Sequence, residues 1–278
     1  GNQDIVVDGL VETTSGGAPK DAVLIGSGGT AGVNIVTAGL GTITVTGDAS
    51  GVSPGAQAGA SYNGVELSRG ANVRTENGDI IIRGSGGGGN NVNVGENVGV
   101  RLKDSDTQIT SKTGDVTLIG QTGGKTSSYA IATSGDDISI GQRRDQTVAR
   151  APTGDTFTGN VNLVGDTMQF VNNSTNRLRV TTQRDDANMN PLTTGQINIR
   201  SLHDADIQIG GTEPTPPSSD NVNNPDKPLY LASELFSGTN AVFIPGAGEV
   251  NIGQFGHNTM TGTAVGETSK TISVNGAT

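Results

Sequence analysis

Pairs of carboxylates are the side chains of this sequence best suited to chemistry. Four pairs of aspartates lie one or two residues apart: Asp104 and Asp106, Asp136 and Asp137, Asp185 and Asp186, and Asp204 and Asp206. Glycosidases use two carboxyl groups roughly 5–10 Å apart on either side of a bound sugar. Alternate residues of a strand lie on one face about 7 Å apart, so Asp204 and Asp206 have a compatible spacing. The aspartate pairs are therefore compatible with a carbohydrate-active enzyme.

The same aspartates have a structural explanation. Aspartate is favoured at turns, because its side chain accepts hydrogen bonds from nearby backbone amides. Binding clefts are commonly lined with aromatic side chains, whereas this chain has no Trp, 3 Tyr and 5 Phe. Acid-rich turns also leave adventitious Ca²⁺ binding open, although neither the calcium-binding nonapeptide repeat nor an EF-hand loop occurs. The sequence therefore favours a protein that is not an enzyme.

Residues for nucleophilic or metal chemistry are sparse. The two histidines, His203 and His257, lie far apart in the chain and in no recognisable motif, and there is no cysteine. A zinc site usually needs several His or Cys ligands, and no phosphate-binding glycine loop occurs. We therefore predict no catalytic residue, no metal site and no cofactor.

Basic residues are concentrated in the middle of an acidic chain. The net charge is −10, which repels nucleic acid and anionic lipid at long range. A candidate patch for an anionic partner comprises five arginines: Arg143, Arg144, Arg177, Arg179 and Arg184. Arginines that solvate a polar face explain the same cluster. We predict no nucleic-acid partner, and no membrane insertion, because no stretch approaches the roughly 20 apolar residues of a membrane helix.

A repeated sequence phrase predicts the strands on which these side chains are carried. A glycine precedes aliphatic residues that alternate with polar ones, and a second glycine usually follows, at 41–47, 78–84, 114–120, 159–165, 195–199 and 248–253. A period of two predicts half-buried strands, and no window shows a helical period. Recurrence at intervals of about 22 and about 36 residues predicts a stack of coils of around 20 residues each.

These observations predict an all-β protein with almost no helix: a right-handed parallel β-helix (β-solenoid) with irregular coil lengths and loop excursions. Residues 1–210 are predicted to form the coils. Residues 211–228 are rich in proline, which cannot donate a hydrogen bond in a strand ladder, and are predicted to form an excursion or hinge. Residues 229–278 are predicted to form a terminal β segment that continues the solenoid or docks on it.

The phrases resemble the repeat regions of filamentous-haemagglutinin-like proteins, the large exported β-helical adhesins of Gram-negative bacteria. The likeness is best over 64–120, in Gly64-Val-Glu-Leu67, in 75–84 and in 113–120, and segments 229–235 and 250–253 look like others that recur in those proteins. It covers most of 30–210 and 229–278 as a likeness of composition and rhythm. The resemblance implies a right-handed β-helix, an extracellular or cell-surface location and an adhesive or scaffolding role.

Both ends of the sequence bear on its partners. The apolar run Ile5-Val6-Val7 begins almost at once, and Ile272-Ser-Val274 lies four residues from the end, with no polar helical cap at either side. Uncapped strand edges template pairing with another chain. We therefore predict head-to-tail self-association into a filament, or continuation in a longer chain, with surface glycans as further candidate partners.

The leading functional prediction is a non-enzymatic structural or adhesive segment of a secreted or cell-surface protein. Two alternatives remain. One is a polysaccharide lyase-like or hydrolase-like β-helix that uses surface aspartates. The other is an ice-binding solenoid, for which the threonine row at 42–46 offers a single instance that later coils do not repeat.

Overall fold

The computed structural model describes residues 2–11, 21–26, 32–52, 61–87, 97–122, 129–141, 159–171, 178–181, 195–202, 207–209, 229–232, 235, 242–244, 250–254 and 272–274. Within these ranges the chain consists almost entirely of strands, turns and bends, and no α-helix occurs. The all-β prediction is confirmed for this part of the chain.

Short strands follow one another along the described chain. They are β1 (Ile5–Leu10), β2 (Val23–Ile25), β3 (Asn34–Thr37), β4 (Ile43–Asp48), β5 (Val65–Leu67), β6 (Asn72–Thr75), β7 (Ile80–Ser85), β8 (Val100–Lys103), β9 (Gln108–Ser111), β10 (Val116–Gln121), β11 (Ile131–Ser134), β12 (Ile138–Gly141), β13 (Val161–Val164), β14 (Met168–Phe170), β15 (Leu178–Thr181), β16 (Ile197–Ser201), β17 (Ile207–Ile209), β18 (Leu229–Leu231), β19 (Phe243–Ile244), β20 (Val250–Gln254) and β21 (Ile272–Val274).

The strands form three long parallel sheets that the chain visits in turn. Sheet A has the order β1-β4-β7-β10-β13-β16-β20, sheet B the order β2-β5-β8-β11-β14, and sheet C the order β3-β6-β9-β12-β15-β19. The pairings within these sheets are parallel, as in β1 with β4 and β2 with β5. One passage through A, B and C is one coil, and the stacked coils form a parallel β-solenoid.

The core is a set of aliphatic columns that run along the stack. In sheet A one column contains Ile5, Ile43, Ile80, Val116, Val161, Ile197 and Val250 in successive strands. Its members from Ile43 to Ile197 are completely buried. Because apolar side chains pack mainly on their own kind in the next coil, a chain with little hydrophobic content still has a continuous core.

The coils are longer than the sequence interval suggested. Ile80 pairs with Val116, 36 residues further along, and Ile197 pairs with Val250, 53 residues further along. The expectation of coils of around 20 residues is therefore wrong, because each coil contributes a strand to three sheets. The shorter interval of about 22 residues separates Val116 from Ile138, and Ile138 belongs to β12 in sheet C. Sheet A has seven strands, so it extends about 30 Å along the stack.

The glycines of the repeated phrase lie where backbones approach closely. A Cβ on the closing Gly84 would collide with the carbonyl oxygen of Gly99, at the corner where the chain passes from sheet A to sheet B. A Cβ on the opening Gly114 would collide with the carbonyl oxygen of Gly78 in the preceding coil. Both positions exclude any side chain, which explains why the phrase is bounded by glycine.

The last part of the described chain departs from simple chain order. Strands β17, β18 and β21 form sheet D in the order β18-β17-β21, so β17 lies between two strands that follow it in the sequence. Strand β18 contacts β14 at the end of sheet B, while β19 and β20 extend sheets C and A. The proline-rich segment 211–228 lies outside the described residues.

Candidate functional site

The first coil, made of β1, β2, β3 and the turn after β3, forms one end of the stack of described strands, called here the open end. Strands β1, β2 and β3 each lie at the edge of their sheet. In β1 the N–H of Ile5 donates to the carbonyl of Thr42 at 2.9 Å. Since alternate residues of a strand direct their amides and carbonyls to opposite edges, the backbone groups of Val6, Asp8 and Leu10 face the open edge. This edge is a ready template for another strand.

An apolar ring surrounds the first coil. We define the ring as the exposed large hydrophobic side chains of the described residues, all of which belong to this coil: Val6, Leu10, Leu24, Val36 and Leu40. Their exposed fractions lie between 49% and 67%. They are distributed over β1, β2, β3 and the turn after β3, so the ring borders the open end on all three sheets.

Among the described residues, the ring is confined to this coil. The next coil has polar side chains at the equivalent positions, with Thr44 opposite Val6 and Glu66 opposite Leu24. Single exposed hydrophobic residues are normal on soluble proteins, whereas a grouped set marks a contact surface. Open strand edges and an apolar border therefore occur together at the first coil, which makes it a candidate interface.

A ladder of carboxylate and amide oxygens ties neighbouring coils together. In each step a side-chain oxygen accepts the backbone N–H of the equivalent residue one coil further on: Asp4 from Thr42 at 2.7 Å, Asp79 from Asp115 at 2.8 Å, Asp115 from Asn160 at 2.7 Å and Asn160 from Gln196 at 2.9 Å. These acids are structural. The ladder has a direction, because each side-chain oxygen accepts a hydrogen bond from the coil that follows it in the sequence.

Two of the predicted aspartate pairs meet at one corner of the stack. The N–H of Asp106 donates to the carbonyl of Asp136 at 3.0 Å, so these pairs lie in adjacent coils between sheets B and C. Asp104, Asp106 and Asp137 have positive φ angles of 63°, 62° and 55°, a conformation that aspartate tolerates better than most residues. The pairs form turns in the structure.

The described charged side chains at this corner form one weak ion pair and no metal-binding group. Arg69 and Asp104 approach to 3.9 Å with about half of each side chain exposed, so their ion pair is weak. No group of three or more His, Asp or Glu side chains in the described ranges is placed to hold a metal ion. Asp185, Asp186, Asp204 and Asp206 lie outside the described residues, as do both histidines.

Of the five arginines predicted to form a patch, Arg179 is the one that lies among the described residues. Arg179 lies on β15, where it is partly buried and pairs in register with Ser139 of β12. Arg143, Arg144, Arg177 and Arg184 lie outside the described residues, so the patch stays a prediction.

A buried polar network beneath the first coil was missed by sequence reasoning. Glu66 lies on β5 with a relative exposure of 5%. One of its carboxylate oxygens is 2.7 Å from the ammonium of Lys103, and the other accepts the side-chain amide of Asn63 at 3.0 Å. The Asn63 side-chain oxygen in turn accepts the N–H of Val98 at 3.0 Å. These contacts fix the amide between two coils.

The network reaches into the first coil through Asp21. The backbone N–H of Asn63 donates to the Asp21 carboxylate at 3.3 Å. Burial raises the pKa of Asp21 from 3.8 to about 6, with a further contribution from the negative charge of Glu66. In the pattern Gly64-Val-Glu-Leu67 the glutamate lies between two aliphatic residues, which is typical of an outward strand position, so nothing in the sequence indicates its burial.

Comparison with known proteins gave no match: no protein-family model, no curated protein sequence and no solved structure is significantly similar to this chain. Within the described part of the chain, no helix has the length and hydropathy needed to cross a membrane.

Proposed function

We propose that this chain is a non-enzymatic structural or adhesive β-solenoid segment that joins its copies end to end through the first coil. The observation that carries the proposal is the coincidence of open strand edges and an apolar ring at that coil. Such an end is unfavourable in water, and pairing with a further coil removes it.

Sheet A supports a head-to-tail arrangement. It ends at β1 on one side and at β20 on the other, and both strands belong to the same aliphatic columns. Ile5 and Val7 of one copy would therefore extend the columns that end at Val250 and Ile252 of another. A contact between different ends of a molecule that does not close on itself generates a filament.

The finer features of the proposal rest on general rules and on the resemblance. We propose right-handed coils, because crossovers between parallel strands are right-handed in nearly all proteins. A bacterial extracellular or cell-surface fibre follows from the likeness to haemagglutinin-like adhesins. A structural role also agrees with the aspartates of the described corner and ladder, whose hydrogen bonds serve turns and coil stacking.

A charge at the open edge tests the proposal. Val6→Lys places an ammonium beside the unpaired backbone of β1, and sedimentation velocity over a concentration series should show association at least about tenfold weaker than for the unmodified chain. Thr44→Lys is the matched control, because Thr44 is the register partner of Val6 one coil further in. Equal association of both variants, or a chain that stays monomeric at every concentration, contradicts the proposal.

A further inference from the structure

The described strands end at different levels at the far end of the stack, opposite the first coil. Sheet B has five strands and sheet D three, whereas sheet A has seven and sheet C six. Strand β18 of sheet D contacts β14, the last strand of sheet B. Ile207 and Leu229 of sheet D belong to the same buried core as Met168 of β14. Sheet D therefore continues sheet B, and we call the two together the B line.

Strand β21 is the outermost described strand of the B line. It covers the edge of β17, with Ile272 opposite Ile207 and Val274 opposite Ile209. The B line thereby extends one strand beyond sheet A, which ends at β20. Without β21, the B line would end at β17, on the same level as β20.

The first coil and β21 compete for one place in the proposed head-to-tail contact. The first coil contributes one strand to each of sheets A, B and C, so β1 and β2 lie at the same level. When β1 of one copy pairs with β20 of another, its β2 falls directly beyond β17, where β21 of the other copy lies. One edge of a strand pairs with one partner strand. Pairing of β1 and β2 together therefore requires β21 to leave. Among the described strands, β3 meets no such competitor, because sheet C ends at a lower level.

The two competing strands have matching sequences. Strand β2 is Val23-Leu-Ile25 and β21 is Ile272-Ser-Val274, so each has three residues with an aliphatic residue first and last. Strand β17, Ile207-Gln-Ile209, has the same pattern. The first and last residues of β2 are buried and its middle residue is exposed. This is the arrangement that a strand needs in order to continue the aliphatic columns of β17.

We propose that the edge of β17 is the docking site for β2 of a second copy, and that β21 occupies this site in the single chain. The inference rests on the proposed function, because it names the partner strand of the same end-to-end contact. Its own chain holds β21 near the site, which gives it a high effective concentration. A second copy also pairs β1 with β20, so it displaces β21 once the protein is concentrated.

The size of the effect follows from the fraction of time that β21 leaves the site. Only the uncovered form pairs with both strands of a second copy, so the apparent affinity falls in proportion to that fraction. Strand β21 is paired in the structure, and a site covered about nine-tenths of the time weakens association about tenfold. Removing β21 should therefore strengthen association about tenfold.

A proline in β21 tests whether this strand opposes assembly. Ser273→Pro removes a backbone donor from the middle of the strand and disfavours its pairing. Sedimentation velocity over a concentration series should show Ser273→Pro, and a chain that lacks residues 272–278, associating about tenfold more tightly than the unmodified chain. Ser273→Ala is the matched control, because it keeps the backbone N–H. Equal association of all four proteins overturns the inference.

Cross-linking between copies identifies the partner strand, since the chain has no cysteine of its own. In the Ser273→Pro background, one preparation carries Leu24→Cys and another carries Gln208→Cys. With β2 on β17 these middle residues lie about 5 Å apart, within the range of a disulfide. Mixing and oxidation should therefore join the two chains covalently. Val36→Cys, from the same apolar ring, is the control, and a yield equal to that of Leu24→Cys overturns the assignment of β2.

Val6→Lys separates this inference from the proposed function. In the Ser273→Pro background it should remove the gain in association, because β1 then no longer pairs with β20. A Ser273→Pro chain that associates like the unmodified chain, while Val6→Lys still weakens association, overturns the inference and leaves the proposed function standing. A gain that persists with Val6→Lys, without the cross-link of Leu24→Cys, shows that the first coil is not the partner and overturns both.

Discussion

Replacing the closing glycine of a phrase should damage the solenoid at one corner. In Gly84→Ala the added Cβ would collide with the carbonyl oxygen of Gly99. This carbonyl cannot withdraw freely, because it accepts the N–H of Val65 at 2.9 Å. Overpacking of this kind costs about 1–3 kcal/mol, and weakening the hydrogen bond adds about 1 kcal/mol. The smaller backbone entropy of the unfolded alanine chain offsets up to about 1 kcal/mol.

The net loss for Gly84→Ala is therefore about 1–4 kcal/mol, which corresponds to a melting temperature roughly 2–15 °C lower for a chain of this size. Thermal denaturation followed by circular dichroism measures it. Ser85→Ala, at the neighbouring outward position, should stay within about 0.5 kcal/mol of the unmodified chain. Gly70→Ala tests the backbone conformation without a collision: the φ of Gly70 is +71° and an added Cβ would make only ordinary van der Waals contacts, so the substitution should cost about 1–2 kcal/mol. A neutral or stabilising Gly84→Ala would refute the close-approach argument.

Three further predictions concern the polar network and the absence of catalysis. Asn63→Ala should lower the free energy of unfolding by about 2–4 kcal/mol in urea titrations, since it leaves the buried Glu66 carboxylate with one partner fewer; a loss below about 1 kcal/mol would show that water replaces the amide. Lys103→Met should cost about 3 kcal/mol in the same titrations, because the buried Glu66 carboxylate then lacks the ammonium that lies 2.7 Å from it; a loss below about 1 kcal/mol would contradict this. A panel of acidic and neutral polysaccharides should remain uncut by the protein, as judged by reducing-end and unsaturated-product assays, and cleavage that disappears in Asp104→Asn or Asp136→Asn would instead support the carbohydrate-active alternative.

The strands of sheet A could be read directly from the sequence. Their phrases combine alternating aliphatic residues with bounding glycines, and each of the six phrases contains a strand of this sheet, from β4 to β20. The length of a coil could not be read from the sequence, because the strands of sheets B and C are short and have a weak alternation of apolar and polar residues. Strand β9 (Gln108–Ser111) has one aliphatic residue, so its place in the stack depends on pairing with β6 and β12.

The open end was foreseen in part. The early Ile5-Val6-Val7 run predicted an exposed strand edge, and β1 does lie at the edge of sheet A. The apolar ring and the buried network depend on which outward positions are covered by neighbouring chain. Leu24 and Glu66 occupy the same register position in adjacent coils, yet the leucine is exposed and the glutamate is buried. Sequence patterning assigns a side of the sheet and cannot assign what covers it.

Cryo-electron microscopy of the concentrated protein would show directly whether copies of the chain join end to end. We expect rods longer than one chain, in which the first coil of each copy contacts the end of another and sheet A continues across the junction. Dispersed single rods at the highest concentration, with strands β1, β2 and β3 exposed to solvent, would contradict it.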